Sequence, residues 1–218
     1  MKSLRYIAAA VIMSLAAPVA HAASDEQNQV DNAATIIKQF KSIPEKAIPN
    51  YVLKNAKGVA IITVAKGGFV FSGKIGRGVV LARTSAGWSG PSFVRTGGAG
   101  FGAQIGGEVT DYVLVLNTRA AVKAFAEKNN VKLGGEVSAA AGPVGRTAAG
   151  DITIKAAVYT YSRSKGLFAG ASLEGAVINT NEVSNEDYYG HAVTALTILN
   201  GKVAAPAGAA RLIRALGH

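Results

Sequence analysis

The middle of the sequence consists of short apolar, β-branched segments that are separated by glycine. Residues 59–64, 69–71 and 79–82 are such segments, and Gly67-Gly68 and the stretch 73–78 separate them. Segments of this kind form strands, and glycine-rich turns between them favour antiparallel pairing. The pattern predicts an α+β fold with an antiparallel sheet that is strongly curled or closed as a barrel.

One predicted strand carries glycine at nearly every second position. Gly98, Gly100, Gly102 and Gly106 lie on one side of it, with Gln104 among them. Because alternate residues of a strand point to the same face, that face would have almost no side chains. Either another backbone approaches closely there, at a tight barrel corner, or an acyl chain or other ligand fills the space.

Apolar residues at helical spacing precede the β region. Val30, Ile37 and Phe40 belong to a stripe that predicts an amphipathic helix over residues 23–42, with a capping box at its start. Such a stripe is buried somewhere. It docks on the sheet of its own domain or enters a membrane interface, and the sequence leaves both open.

Further helices are predicted from end signals. A short helix is expected over 44–55 with Gly58 just past its end, and Thr118 is expected to cap another. A strand is expected near Val183, and residues 207–218 should form a C-terminal helix.

The first 22 residues have the pattern of a secretory signal peptide. Lys2 and Arg5 precede a short apolar stretch, and residues 20–22 form an A-x-A cleavage site. The chain contains no cysteine, which excludes a lipid-modified N-terminal Cys. The protein is therefore predicted to be periplasmic or secreted.

Basic residues are concentrated in one third of the chain. The formal net charge is +10, and there is no Asp or Glu from residue 46 to residue 107. This stretch is either a solvated basic face or a surface that binds anions. The cations proposed for headgroup binding are Lys66, Lys74, Arg77, Arg83 and Arg95, with Val30, Ile37 and Phe40 as apolar contacts.

Catalytic and metal-binding patterns are nearly absent. Without cysteine, thiol catalysis, iron–sulfur clusters and cysteine-ligated zinc are excluded. His191 is the only histidine inside the predicted domain, so a hydrolase would have to use His191 or Asp111 with a partner. We therefore predict no enzyme, no metal and no cofactor, with a hydrolase as a remote alternative.

Several runs of the sequence together resemble the SYLF domain family, a lipid-binding family also known through its yeast actin-binding members. The matching runs follow one another in the order 48–61, 66–73, 97–111, 114–122, 141–146, 159–170 and 172–175. The resemblance covers residues 43–206. It implies a non-enzymatic module that binds membrane lipid.

The resulting hypothesis is an exported protein that binds a membrane surface. Its predicted parts are a signal peptide (1–22), an amphipathic helix (23–42), a SYLF-like domain (43–206) and a C-terminal helix (207–218). The expected partner is anionic phospholipid, whereas export argues against actin and nucleic acid. The alternative is an envelope protein that binds an acidic protein or polysaccharide. The lipid and the oligomeric state are left open.

Overall fold

The computed structural model describes residues 24–42, 48–127, 130–134, 137–143, 156–164, 167–170 and 176–217. The predicted signal peptide lies outside these residues. The helices are α1 (Asp25–Ser42), α2 (Asn50–Asn55), α3 (Arg119–Glu127), α4 (Glu182–Tyr189), α5 (Ala195–Leu199) and α6 (Ala210–Leu216). The strands are β1 (Gly58–Thr84), β2 (Gly87–Trp88), β3 (Ser92–Leu116), β4 (Asn130–Lys132), β5 (Ala139–Ala141), β6 (Val158–Ser164), β7 (Leu167–Gly170) and β8 (Val177–Thr180).

Two strands that are much longer than predicted form the body of the domain. Strand β1 has 27 residues and β3 has 25, and they pair antiparallel from Gly58 opposite Leu116 to Val80 opposite Ser92. The expectation of short strands with turns at 67–68 and 73–78 was therefore wrong. Because glycine has no Cβ, it lets a long strand bend without ending, and the glycines here lie inside the strands.

The β1–β3 ribbon curls until the two ends of β1 meet. The amide of Arg83 donates to the carbonyl oxygen of Lys57 at 2.8 Å. Between these ends the strand crosses itself at Gly78, where an added Cβ would lie 2.7 Å from the Cα of Ile62. Glycine is required at this position because backbone packs directly on backbone.

Five short strands extend the ribbon, with β6 and β8 on β3, β7 and β5 on β6, and β4 on β8. Strand β5 is parallel to β6, so the sheet is mixed rather than wholly antiparallel as expected. The α+β class, the strong curl and the flanking helices are confirmed. Residues 98–106 lie in β3 as predicted, but what packs on their glycine face lies outside the described side chains.

The part of the ribbon around Val79 and Phe93 is buried on both faces. On one face, Val79 and Phe93 pack with α1, α2 and α6, and on the other, Val80 and Val94 pack with α3 and β4. Alternate strand residues therefore enter different cores.

Helix α1 is fixed to the ribbon and to α6 by polar contacts. The Gln29 amide donates to the carbonyl oxygen of Gly78 at 2.6 Å, and Arg211 pairs with Asp31 at 3.0 Å. The pKa of Asp31 lies below its usual value. The largest effect is the hydrogen bond from Gln27, which lowers the pKa. Burial of the carboxylate opposes it, and Arg211 lowers the pKa further. Half of the predicted capping box forms, because Ser24 accepts from the Gln27 amide at 3.2 Å.

Two local predictions, the glycine at the end of the second helix and the strand near Val183, differ from the structure. Gly58 does not follow the second helix directly, since α2 ends at Asn55 and Gly58 begins β1. Val183 lies in helix α4 and not in a strand, because Asn181 caps that helix through Ser184. The cap at Thr118 is confirmed by its 3.1 Å hydrogen bond from the Ala121 amide.

Replacing Tyr161 by phenylalanine is expected to leave the free energy of unfolding unchanged or to raise it by about 1 kcal/mol. The Tyr161 hydroxyl is buried and has no hydrogen-bond partner among the described residues. Burial raises its pKa, with smaller contributions from Tyr51 and Tyr159. Urea denaturation should show no loss for Tyr161→Phe. The control Tyr189→Phe should lose stability, because the Tyr189 hydroxyl donates to Pro91 at 3.2 Å.

Candidate functional site

The structure separates the five cations that the sequence grouped together. Lys66 lies directly opposite Glu108 on β3, so its charge has an acidic cross-strand neighbour. Arg83 stacks on Trp88, with the guanidinium carbon 4.2 Å from the ring centroid. Burial lowers the pKa of Arg83. Both cations thus have neighbours within the ribbon. Lys74, Arg77 and Arg95 remain as candidates for binding a partner.

Arg77 and Arg95 lie directly opposite each other on β1 and β3, and we call them the arginine pair. Both are exposed, and neither forms an ion pair with a carboxylate in the described part of the chain. They share the face of Val79 and Phe93, the face that α1 covers. Lys74 is also exposed. It lies three residues before Arg77 in β1, so its side chain points to the opposite face of the ribbon.

A groove of about 650 Å³ lies beside Arg77, between the first turns of α1 and the end of the ribbon that α1 leaves uncovered. We call it the α1 groove. Its helix side includes Asp25, Asn28 and Asn32. Its sheet side consists of Thr63, Ala65, Ile75, Gly76, Arg77 and Val109.

Two large apolar side chains of the α1 groove are open to solvent. Ile75 is 73% exposed and Val109 is 60% exposed. Sequence reasoning missed both residues, because they lie far apart in the chain and only the curl of the ribbon brings them to one groove. The only hint was an apolar residue between Lys74 and Arg77 in a glycine-rich stretch.

The three apolar residues assigned to a membrane interface lie in the core. Val30 and Ile37 are fully buried and Phe40 is 1% exposed, in the cluster that includes Val79 and Phe93. Of the two possibilities left open for this stripe, the structure has the helix docked on its own sheet. These side chains are not on the surface of this conformation.

The two residues considered for catalysis do not form a reactive pair. Asp111 accepts from Arg163 at 2.6 Å and from Thr63 at 2.9 Å, so its carboxylate oxygens are both held. His191 is exposed beside a separate cleft of about 430 Å³, and its Nδ1 lies 3.2 Å from the carbonyl oxygen of Ala192. In the described residues no three His, Asp or Glu are grouped as a metal site would require. The helices among these residues are too short or too polar to span a bilayer.

Comparison with known families identifies the chain. Residues 97–218 match the Ysc84 family, which is described as "Las17-binding protein actin regulator". The chain belongs to the Ysc84 family. The match confirms the resemblance to the SYLF family that the ordered sequence runs indicated.

Three relatives show how much of the chain the Ysc84 likeness covers. SH3 domain-containing protein PJ696.02 of Schizosaccharomyces pombe is 50% identical over 177 residues, covering 79% of this chain and 41% of the relative. Protein YSC84 of Saccharomyces cerevisiae is 44% identical over 200 residues, covering 87% and 43%. SH3 domain-containing YSC84-like protein 1 of Xenopus laevis is 42% identical over 202 residues, covering 88% and 60%. The chain thus spans less than two thirds of the length of each.

The partner expected from the sequence is contradicted. The sequence predicts anionic phospholipid as the partner, and predicted export argues against actin. The Ysc84 family description names Las17 and actin, and a further relative from yeast is called LAS seventeen-binding protein 3. These names point to protein partners and not to lipid.

Proposed function

We propose that this Ysc84-family chain is a non-catalytic binding module for an acidic protein, and that the arginine pair is the centre of its contact surface. The observation that carries the proposal is the position of Arg77 directly opposite Arg95. Like charges that face each other across two strands destabilise a sheet. A carboxylate from a partner would remove this repulsion.

Arginine suits such a contact because its planar guanidinium binds a carboxylate through two parallel hydrogen bonds. Two guanidinium groups on neighbouring strands offer adjacent sites for acidic side chains. Asn179 lies opposite Arg95 on β8 and continues the polar row. The arrangement fits a partner surface with clustered Asp and Glu.

The family description supports actin as the first partner to test. It names an actin regulator, and the proposal requires an acidic surface on actin that faces the arginine pair. The positions of His191 and Asp111 support a binding role over a hydrolytic one. We retain export as part of the proposal, since residues 1–22 carry the pattern of a signal peptide.

Replacing Arg77 and Arg95 together by glutamine should weaken co-sedimentation with filamentous actin by about tenfold or more, because arginines that a partner buries often dominate the energy of an interface. Binding of the unchanged protein should also weaken with salt, since exposed charges are screened over about 8 Å at physiological ionic strength. The matched control is Lys54→Gln with Arg214→Gln. It removes two exposed positive charges elsewhere on the domain.

Two results would overturn the proposal. In the first, the unchanged protein does not pellet with filamentous actin at low salt. In the second, the control variant loses as much binding as the arginine variant, which would mean that total charge and not the arginine pair determines binding. A parallel measurement with vesicles of anionic phospholipid separates a protein partner from a membrane. Retention by vesicles alone would contradict the proposed protein partner.

A further inference from the structure

The α1 groove combines exposed apolar surface with charge at its walls. Ile75 and Val109 are exposed to solvent, and Arg77 lies beside them. Exposed apolar surface that is bordered by polar groups marks sites of protein interaction. The other large apolar side chains exposed in the described residues, Val183 and Leu196, lie on helices α4 and α5.

The α1 groove has one charged side chain on each of its walls. Arg77 belongs to the arginine pair and repels its neighbour Arg95. Asp25 lies on the helix wall of the same groove, but it forms no ion pair with Arg77 among the described residues. The groove therefore offers a free guanidinium beside an apolar surface, with one carboxylate at its opposite wall.

We infer that the α1 groove takes an apolar side chain of the acidic partner, next to a carboxylate of the same segment that pairs with Arg77. This inference rests on the proposed function and adds what the partner must offer besides charge. The groove volume of about 650 Å³ falls within the range of about 300–1,000 Å³ that is usual for ligand pockets. It is large enough for one or two bulky side chains.

Charge complementarity selects this occupant. Arginine is enriched in protein interfaces, and the buried core of an interface is more apolar than its rim. A segment with an acidic residue beside an apolar one would cover Ile75 and Val109 and neutralise Arg77 in one contact. A purely apolar segment would leave Arg77 unpaired, and a basic segment would be repelled by the arginine pair.

The test uses two variants of the groove in the co-sedimentation assay with filamentous actin. Replacing Ile75 and Val109 by threonine keeps β-branched residues in the strands and should weaken binding by about tenfold, through lost apolar burial. The salt dependence should stay unchanged because every charge is retained. Replacing Asp25 by asparagine should strengthen binding by about two- to threefold, because a carboxylate near the incoming acidic segment is removed.

The control replaces the two other exposed apolar residues, Val183 and Leu196, by threonine. Its binding should equal that of the unchanged protein, and thermal unfolding should confirm that all variants are folded. Normal binding by the groove variant, with weak binding by the arginine variant, would overturn this inference and leave the proposed function in place. Failure of the unchanged protein to bind would overturn both.

A second copy of the chain is the competing occupant. Size-exclusion chromatography with light scattering would detect it as a dimer that dissociates when Ile75 and Val109 are replaced. That result would overturn the inference, because the groove would then be a self-association surface. A monomer in both cases supports the partner segment.

Discussion

Replacing Phe40 by alanine is expected to lower the free energy of unfolding by about 3–5 kcal/mol, which is the usual cost of removing a buried aromatic side chain. Phe40 is 1% exposed and belongs to the core between α1 and the ribbon. Adding Ile37→Ala should bring the loss close to the total stability of a typical domain, about 5–15 kcal/mol. Urea denaturation followed by far-ultraviolet circular dichroism measures both variants.

Lys38→Ala is the matched control for these substitutions. Lys38 lies on the same helix with an exposed side chain, so its replacement removes little packing and keeps a good helix former. Its unfolding midpoint should stay close to that of the unchanged protein. If Phe40→Ala also left the midpoint unchanged, α1 would not be docked on the ribbon in solution.

The stripe of α1 shows what helical periodicity predicts. The spacing of Val30, Ile37 and Phe40 correctly predicted a helix and the face that is buried. It could not predict what covers that face, because a sheet and a membrane interface both receive apolar side chains. The decision depends on residues far along the chain, among them Val79 and Phe93, which complete the core.

The strands were predicted from their composition, but their continuity was not. The apolar segments around Val59 and Val79 do form strands, as β-branched residues favour. The glycines between them looked like turn residues, because the residue type that ends a strand also permits a strand to bend. The continuous pairing of β1 with β3 shows that these glycines lie inside a strand, and at Gly78 the approach of the Ile61 backbone requires glycine.

The candidate site was predicted only in part. The absence of acidic residues from the basic third drew attention to five cations, but it carried no information about which of them lie together. Strand register then sorted them, placing Lys66 opposite Glu108 and Arg77 opposite Arg95. Register and curl are properties of the folded ribbon, so neither the arginine pair nor the meeting of Ile75 and Val109 had a local signal in the sequence.

Replacing Gly78 by alanine should destabilise the domain by about 3 kcal/mol or more, at the upper end of the usual cost of overpacking. The added Cβ would overlap the carbonyl oxygen of Ile61 and lie 2.7 Å from the Cα of Ile62. Both atoms belong to the backbone of β1, so relief would require the two halves of the ribbon to separate. The melting temperature of this variant is expected to fall by roughly 6–12 °C.

Gly67→Ala is the matched control, because it adds the same methyl group to the same strand. A Cβ at position 67 would have no atom within 4 Å, so this variant should match or slightly exceed the stability of the unchanged protein, since alanine restricts the unfolded chain. Equal melting temperatures for the two variants would mean that β1 does not cross itself at Gly78.

The curl that brings Ile75 and Val109 into the α1 groove depends on the same crossing. A folded but altered Gly78→Ala variant should therefore lose partner binding through this groove, whereas Gly67→Ala should retain it.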